Sequence, residues 1–271
     1  MSLNKDLRVS IAGLGAVGKA LVRRLDEGVY GLQLHAVAVR DREKAAETLR
    51  ALKHPVRIVS IPELVEGADV VVECAPAELV VQIAEPVLRA GKTLVVLSAG
   101  ALLDNMKLVD LAREHGGQII VPTGALLGLD AVTAAAEGKI HSVRMITRKP
   151  VRGLVGAPYL VDNKINIEGV TSPVQVFSGN ARDAAKGFPA NLNVVVALAL
   201  AGIGPDRTEL EIWADPALTR NTHVIEVDSD AASFSMSIQN IPTENPKTGR
   251  ITAQSVLAAL RKLRSPLRVG T

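Results

Sequence analysis

Aromatic residues are scarce. Phe, Tyr and Trp together number six among 271 residues, so the core must be built from Val, Leu, Ile and Ala. The same scarcity removes the stacking platforms that hold single-stranded nucleic acid, and no nucleic-acid partner is expected. Cys74 is the single cysteine. One thiol excludes an internal disulfide framework and a Cys-rich zinc site, so no metal is expected; it suits a reducing, cytoplasmic compartment. No apolar run is long enough to span a membrane, and Met1–Asp6 carries no apolar signal segment, so no membrane partner is expected. Neither sign of charge dominates. Lys and Arg number 31 against 28 Asp and Glu, a net +3, which is a small excess rather than a basic stripe.

What is there is an ordinary globular composition, 48% apolar and 22% charged, in a length that suits one large or two moderate domains. The first half alternates short apolar runs with helical patterns. Strands are expected at Leu7–Ala12, Leu32–Val39, Arg57–Ser60, Ala68–Cys74, Thr93–Ser98 and Gln118–Val121. Helices are expected at Ala16–Leu25, Asp41–Leu52, Val80–Ala90 and Asp104–His115, with a short one opening at Ile61. Apolar strands separated by helices predict an α/β domain, a Rossmann-type doubly wound parallel sheet covered on both faces.

After Pro122 the texture changes. Gly124–Lys139 reads as an alanine-rich helix and Asn193–Ala201 as a small-residue helix. His141–Thr147, Val174–Ser178, Thr208–Ala214, His223–Val227 and Ala232–Ile238 read as strands. Many strands with few helices between them predict a smaller α+β domain with a mostly antiparallel sheet. Thr252–Leu263 places Ala253, Val256, Leu257, Leu260 and Leu263 on one helical face, which must be buried, and the first domain is the expected partner. The expected plan is residues 1–122 completed by 246–271, with 123–245 between them.

The first informative motif is Gly13-Leu14-Gly15-Ala16-Val17-Gly18. It follows an apolar strand and opens a helix, the context that makes G-x-G-x-x-G specific for a dinucleotide. Gly13 allows the tight turn, Gly15 lets the backbone approach a pyrophosphate, and Gly18 lets helix and strand pack closely. Ala16 and Val17 start the helix whose free N–H groups face the phosphates. The second strand ends in Val39-Arg40-Asp41-Arg42. Asp41 suits the ribose hydroxyls of NAD, while Arg40 and Arg42 suit the 2′-phosphate of NADP, so both cofactors are expected to bind.

Hydride transfer at a carbon bearing nitrogen or oxygen usually needs an acid–base group, and histidine suits neutral pH. His35 lies inside a strand and reads as structural. His54 and His115 sit at helix ends and read as solvated caps, and His141 begins a strand. His223 shares a strand face with Ile225 and Val227, the pattern of a packed core histidine. Periodicity therefore does not single out a catalytic histidine. Thr147-Arg148-Lys149-Pro150 and Asn245-Pro246-Lys247-Thr248 set cations beside prolines and read as loops able to hold carboxylates, with Arg148 and Lys247 as candidates. Asn191 and Asn193 precede the small-residue helix, where asparagine either caps the helix or bonds a carboxamide such as that of nicotinamide.

Taken in order, several stretches resemble the L-aspartate dehydrogenase family. They are Gly13–Gly18, Pro122–Asp130, Thr147–Pro150, Gly179–Arg182, Phe188–Val194, Ala214–Pro216, Asn221–His223 and Asn245–Thr248. The glycine loop is shared with many enzymes, whereas the later stretches are specific because they occur together. Gly249 departs from the family's usual serine, and Leu126-Leu127 from a smaller residue. The resemblance spans nearly the whole chain. It implies oxidation of L-aspartate to iminoaspartate with NAD or NADP. Iminoaspartate then feeds NAD biosynthesis or hydrolyses to oxaloacetate and ammonia. It also implies that His223 is the active-site residue, that Ala125 and Asn193 contact the cofactor, and that the middle domain makes a homodimer. Two alternatives stand beside it: an imine reductase like dihydrodipicolinate reductase, and a non-catalytic nicotinamide-sensing protein.

Overall fold

A computed structural model describes residues 5–189, 192–243 and 248–271. The chain divides into two compact units, Met1–Pro122 with Thr252–Arg268, and Thr123–Ile251 with Val269–Thr271.

The first unit carries strands β1 (Leu7–Ala12), β2 (Leu32–Ala38), β3 (Arg57–Val59), β4 (Val70–Glu73), β5 (Thr93–Val96) and β6 (Gln118–Ile120). Helices α1 (Ala16–Asp26), α2 (Arg42–Arg50), α3 (Val80–Arg89), α4 (Ala99–Leu103) and α5 (Lys107–His115) connect them. The sheet runs β3-β2-β1-β4-β5-β6 and every pair is parallel. This is the doubly wound order, with its reversal between β1 and β4. Val9, Ile11, Val37, Val70, Val72 and Val95 fill the core from the sheet, and Leu21, Val22 and Leu25 meet them from α1. The expected helix over Asp104–His115 is interrupted: Asp104 caps α4, and α5 begins only at Lys107.

The second unit holds β7 (Ile140–Lys149), β8 (Val174–Asn180), β9 (Thr208–Ala214), β10 (Asn221–Ser229) and β11 (Ser233–Asn240). Their order is β11-β10-β7-β9-β8. Three pairs are antiparallel and only β7–β9 is parallel, so the sheet is mixed but mostly antiparallel. Helices α6 (Leu129–Ala136), α7 (Pro158–Asp162), α8 (Ala181–Gly187) and α9 (Asn193–Ala201) belong to this unit. Half of the chain's six aromatics gather here: Tyr159 lies 5.2 Å from Phe177 and 5.3 Å from Phe188 between ring centroids. The closing helix α10 (Ile251–Lys262) sends Val256, Leu257 and Leu260 into the core of the first unit.

The sequence reading of Gly124–Lys139 as one helix is corrected. Only Leu129–Ala136 is helical, because Gly124 and Gly128 take left-handed φ of +65° and +66°. The positive φ favours glycine at Gly128, where a Cβ would also stand 2.1 Å from the Met236 sulfur and push that side chain aside. The reading of Thr147–Pro150 as a loop is corrected as well. Strand β7 continues through Lys149, paired with β9, and ends only where Pro150 lacks a donor. Helix α8 had a legible signal that the sequence reading passed over: Asn180 accepts from the Asp183 N–H at 2.8 Å as its N-cap.

Candidate active site

The glycine loop lies at the ends of β1, β2 and β4. Gly13 N–H donates to the Ala38 carbonyl at 2.8 Å, and Cys74 N–H donates to Ala12 at 2.8 Å. Gly13 has a φ of +95°, and a Cβ on it would meet the Cys74 carbonyl oxygen at 2.5 Å. A Cβ on Gly18 would meet the Gly13 oxygen at 2.1 Å. These two glycines are demanded by the fold itself. Gly15 is different: a Cβ on it meets nothing within 4 Å. It is exposed and caps α1 without any side-chain hydrogen bond, and the first turn of α1 has no acidic residue. The amides of Ala16 and Val17 therefore begin a helix with an uncapped, positive end under open space, which suits a pyrophosphate.

Asp41 is exposed between exposed Arg40 and Arg42. Its Oδ1 caps α2 by accepting from the Lys44 N–H at 2.9 Å, which leaves Oδ2 free of that bond. The floor of the loop is held by Glu73, which is 1% exposed. Its carboxylate accepts from the N–H of Ala75 at 3.0 Å, of Leu97 at 3.1 Å and of Ser98 at 2.9 Å, and from the Ser98 hydroxyl at 3.1 Å. Burial raises the Glu73 carboxyl, and the Ser98, Leu97 and Ala75 donors oppose that rise. Burial, and then the charge of Glu73, push the Cys74 thiol well up.

In the second unit the histidine is buried. His223, on β10, is 2% exposed and pairs across the ladder with Thr147 of β7. Its Nδ1 lies 3.2 Å from the Thr147 hydroxyl, which leaves Nε2 as the ring nitrogen not held by Thr147. Burial, and then the charge of Lys149, lower the His223 pKa to about 3. Lys149 lies two residues beyond Thr147 on β7, on the same face, and is 3% exposed. His35 hydrogen-bonds the Glu66 carbonyl and His54 the Asp26 carboxylate, so both have structural partners.

Strand alternation separates the two cations of the Arg148-Lys149 pair. Arg148 points to the face opposite His223, where its guanidinium lies 5.2 Å from the Trp213 ring centroid and 3.7 Å from Asp215. The expectation that Arg148 holds substrate is not supported by this placement; Lys149 is the cation brought to His223. Period-two counting from Thr147 would have found Lys149, had the pairing of Thr147 with His223 been visible. Lys247 and Asn191 lie outside the described residues. Asn193 is the exposed first residue of α9; the N-cap position is Leu192, so Asn193 is not the cap that the sequence suggested. Ala125 sits in the turn before α6, and its carbonyl accepts from Asn240 Nδ2 at 2.8 Å.

A glycine cradle at the reversal of a parallel sheet, open above Gly15, places the protein among those with a dinucleotide-binding fold. Residues 13–122 match the family model described as the NAD binding domain of homoserine dehydrogenase, and residues 130–263 match that of the C-terminal part of aspartate dehydrogenase. The L-aspartate dehydrogenase of Bradyrhizobium diazoefficiens is 60% identical over 268 residues, 99% of this chain and 95% of that protein. L-aspartate dehydrogenase 3 of Bordetella bronchiseptica is 60% identical over the whole of both chains. The chain belongs to the L-aspartate dehydrogenase family. Its cofactor is NAD or NADP. The aspartate dehydrogenase structure from Thermotoga maritima matches with a TM-score of 0.74 at 24% identity, covering 97% of this chain and 99% of that one, and so shares the fold. No described helix is long and apolar enough to cross a membrane.

Proposed function

We propose that the protein oxidises L-aspartate to iminoaspartate, with His223 as the acid–base residue. The observation that carries this reading is His223 itself. It is buried, anchored through Nδ1 to Thr147 and neutral at physiological pH, on one face with Lys149. A neutral imidazole is the state that can take a proton from the substrate amine. Left alone, a histidine with so low a pKa is a weak base. The negative charge of a bound dicarboxylate opposes that of Lys149, the second cause of the lowering after burial, and so raises it.

Gly13, Gly15, Ala16, Val17 and Gly18 would hold the pyrophosphate, and the free oxygen of Asp41 the adenosine ribose. Ala125 and Asn193 are assigned to the nicotinamide end on the family resemblance. The bound nicotinamide supplies the hydride acceptor for the Cα hydrogen. The chain's own work is at the amine. His223 Nε2 takes one N–H proton, the freed electron pair closes the C=N bond, and the two electrons of the Cα–H bond leave with the hydride. Thr147 keeps the ring turned so that Nε2 faces the amine. Hydrolysis of the imine releases oxaloacetate and ammonia; uptake into NAD biosynthesis is the other fate. The enzyme is further proposed to be a cytoplasmic homodimer joined through its second unit.

The test is the absorbance of reduced nicotinamide with L-aspartate, D-aspartate, L-glutamate and L-alanine, each with NAD and with NADP. Activity confined to L-aspartate supports the reading. No turnover with L-aspartate, alongside tight NADH binding, ends it.

A further inference from the structure

A small pocket opens in the second unit at the end of the sheet that carries His223. Pro150, Arg152, Asn221, Arg220, Asn240 and Gly249 are among its lining residues. Asn221 lies two residues before His223 on β10, on the same face, about 7 Å along the strand. Asn240 is paired with Asn221 across the β10–β11 ladder. Arg152 and Arg220 are exposed at the pocket, and neither forms an ion pair with a described residue.

Asn240 is the unusual member. It is 4% exposed, and its Oδ1 has no hydrogen-bond partner among the described residues. The orientation of its amide is fixed, because a carbonyl only accepts: Nδ2 must face the Ala125 oxygen, 2.8 Å away. The free atom is therefore an acceptor. A buried acceptor left unpaired costs stability unless a ligand fills it. Gly249 keeps it uncovered, since a Cβ there would stand 3.0 Å from Oδ1.

We infer that this pocket is the substrate subsite of the enzyme: Arg152 and Arg220 hold carboxylate of the amino dicarboxylate, and Asn240 Oδ1 accepts an N–H of its amine. The inference rests on the proposed oxidation of aspartate and deepens it. Two guanidinium groups supply the cations that the dianionic substrate needs, and Oδ1 supplies the single acceptor that the amine needs. The second N–H of the amine is then left for His223. Because Asn240 also grips Ala125, the residue assigned to the cofactor, one side chain ties amine position to cofactor position.

Arg152→Ala and Arg220→Ala, separately and together, are measured in the full chain. Each is expected to raise KM for L-aspartate about ten- to a hundredfold, the range for a lost charged hydrogen bond, with KM for NAD unchanged. The inhibition constant of malonate, a dicarboxylate without an amine, should rise in parallel. Both arginines are exposed, so Tm should not move, and Arg220→Lys should recover part of the loss. Gly249→Ala, which covers Oδ1, should weaken aspartate but not malonate. Unchanged KM and inhibition constants in the double variant overturn the subsite while leaving aspartate oxidation intact. Failure of the unaltered chain to oxidise aspartate overturns both.

Discussion

The Thr147 hydroxyl lies 3.2 Å from Nδ1 of His223, and the two residues face each other across the β7–β10 ladder. A hydroxyl at this place fixes which ring nitrogen is free. Replacing it with a methyl group of nearly the same shape, Thr147→Val, removes the anchor and leaves the packing. Turnover should fall about five- to tenfold, the equivalent of one hydrogen bond, with KM for NAD unchanged. His223→Ala should lower turnover about 10²–10⁴-fold, the range for a lost acid–base group. A Thr147→Val enzyme with full turnover would show that strand packing alone orients the ring.

The buried histidine also sets a pH dependence of stability. Its pKa is about 3 in the folded protein against 6.5 unfolded, so between these values the unfolded chain binds more protons. Stability from this residue is complete above pH 6.5 and is lost as pH falls toward 3, at about 1.4 kcal/mol for each pH unit. Denaturant midpoints at pH 7 and pH 5 should show the loss, and His223→Gln should reduce it. An equal pH slope in both proteins would assign the loss to carboxylates elsewhere.

Gly15 separates cofactor binding from folding. Alanine at Gly13 or Gly18 collides with backbone and should destabilise the first unit. Alanine at Gly15 collides with nothing in the chain, so it enters only the open space proposed to take the phosphates. Gly15→Ala should raise KM for NAD at least about tenfold while Tm stays constant. A drop in Tm without a change in KM would reverse the roles.

Asp41 caps α2 and is proposed to hold the ribose, and one substitution can divide the two. Serine caps a helix about as well as aspartate but carries no charge. Asp41→Ser should therefore keep the stability of α2 and shift preference toward NADP, since Arg40 and Arg42 remain beside it. The ratio of kcat/KM for NADP and NAD, measured in both proteins, checks this. An unchanged ratio would remove Asp41 from the ribose site.

Much of the first domain was readable from local pattern. Valine-rich runs such as Val70–Glu73 are buried on both sides and fix the strands without knowledge of their neighbours. The glycine loop was readable because its three glycines fall within six positions of one another, although the Gly13 turn also leans on Ala38 and Cys74 from the neighbouring strands. The second domain was less so. The turn at Gly124–Gly128 was mistaken for helix because alanines nearby mask a break that only the two left-handed glycines impose. The roles of Arg148 and Lys149 were not separable, because adjacent residues on a strand differ only in the face they take.

The sequence by itself determined the dinucleotide loop, the alternation that builds a parallel sheet and the family to which the chain belongs. These are properties of short stretches, set by glycine conformation, apolar period and helix ends. Tertiary structure decided the candidate site. His223 and Thr147 are 76 residues apart in the chain, and Asn240 and Ala125 are 115 apart. No local preference encodes such pairs. They arise when β7, β10 and β11 settle in register, because a one-residue slip would turn Thr147, His223 and Asn240 to the other face.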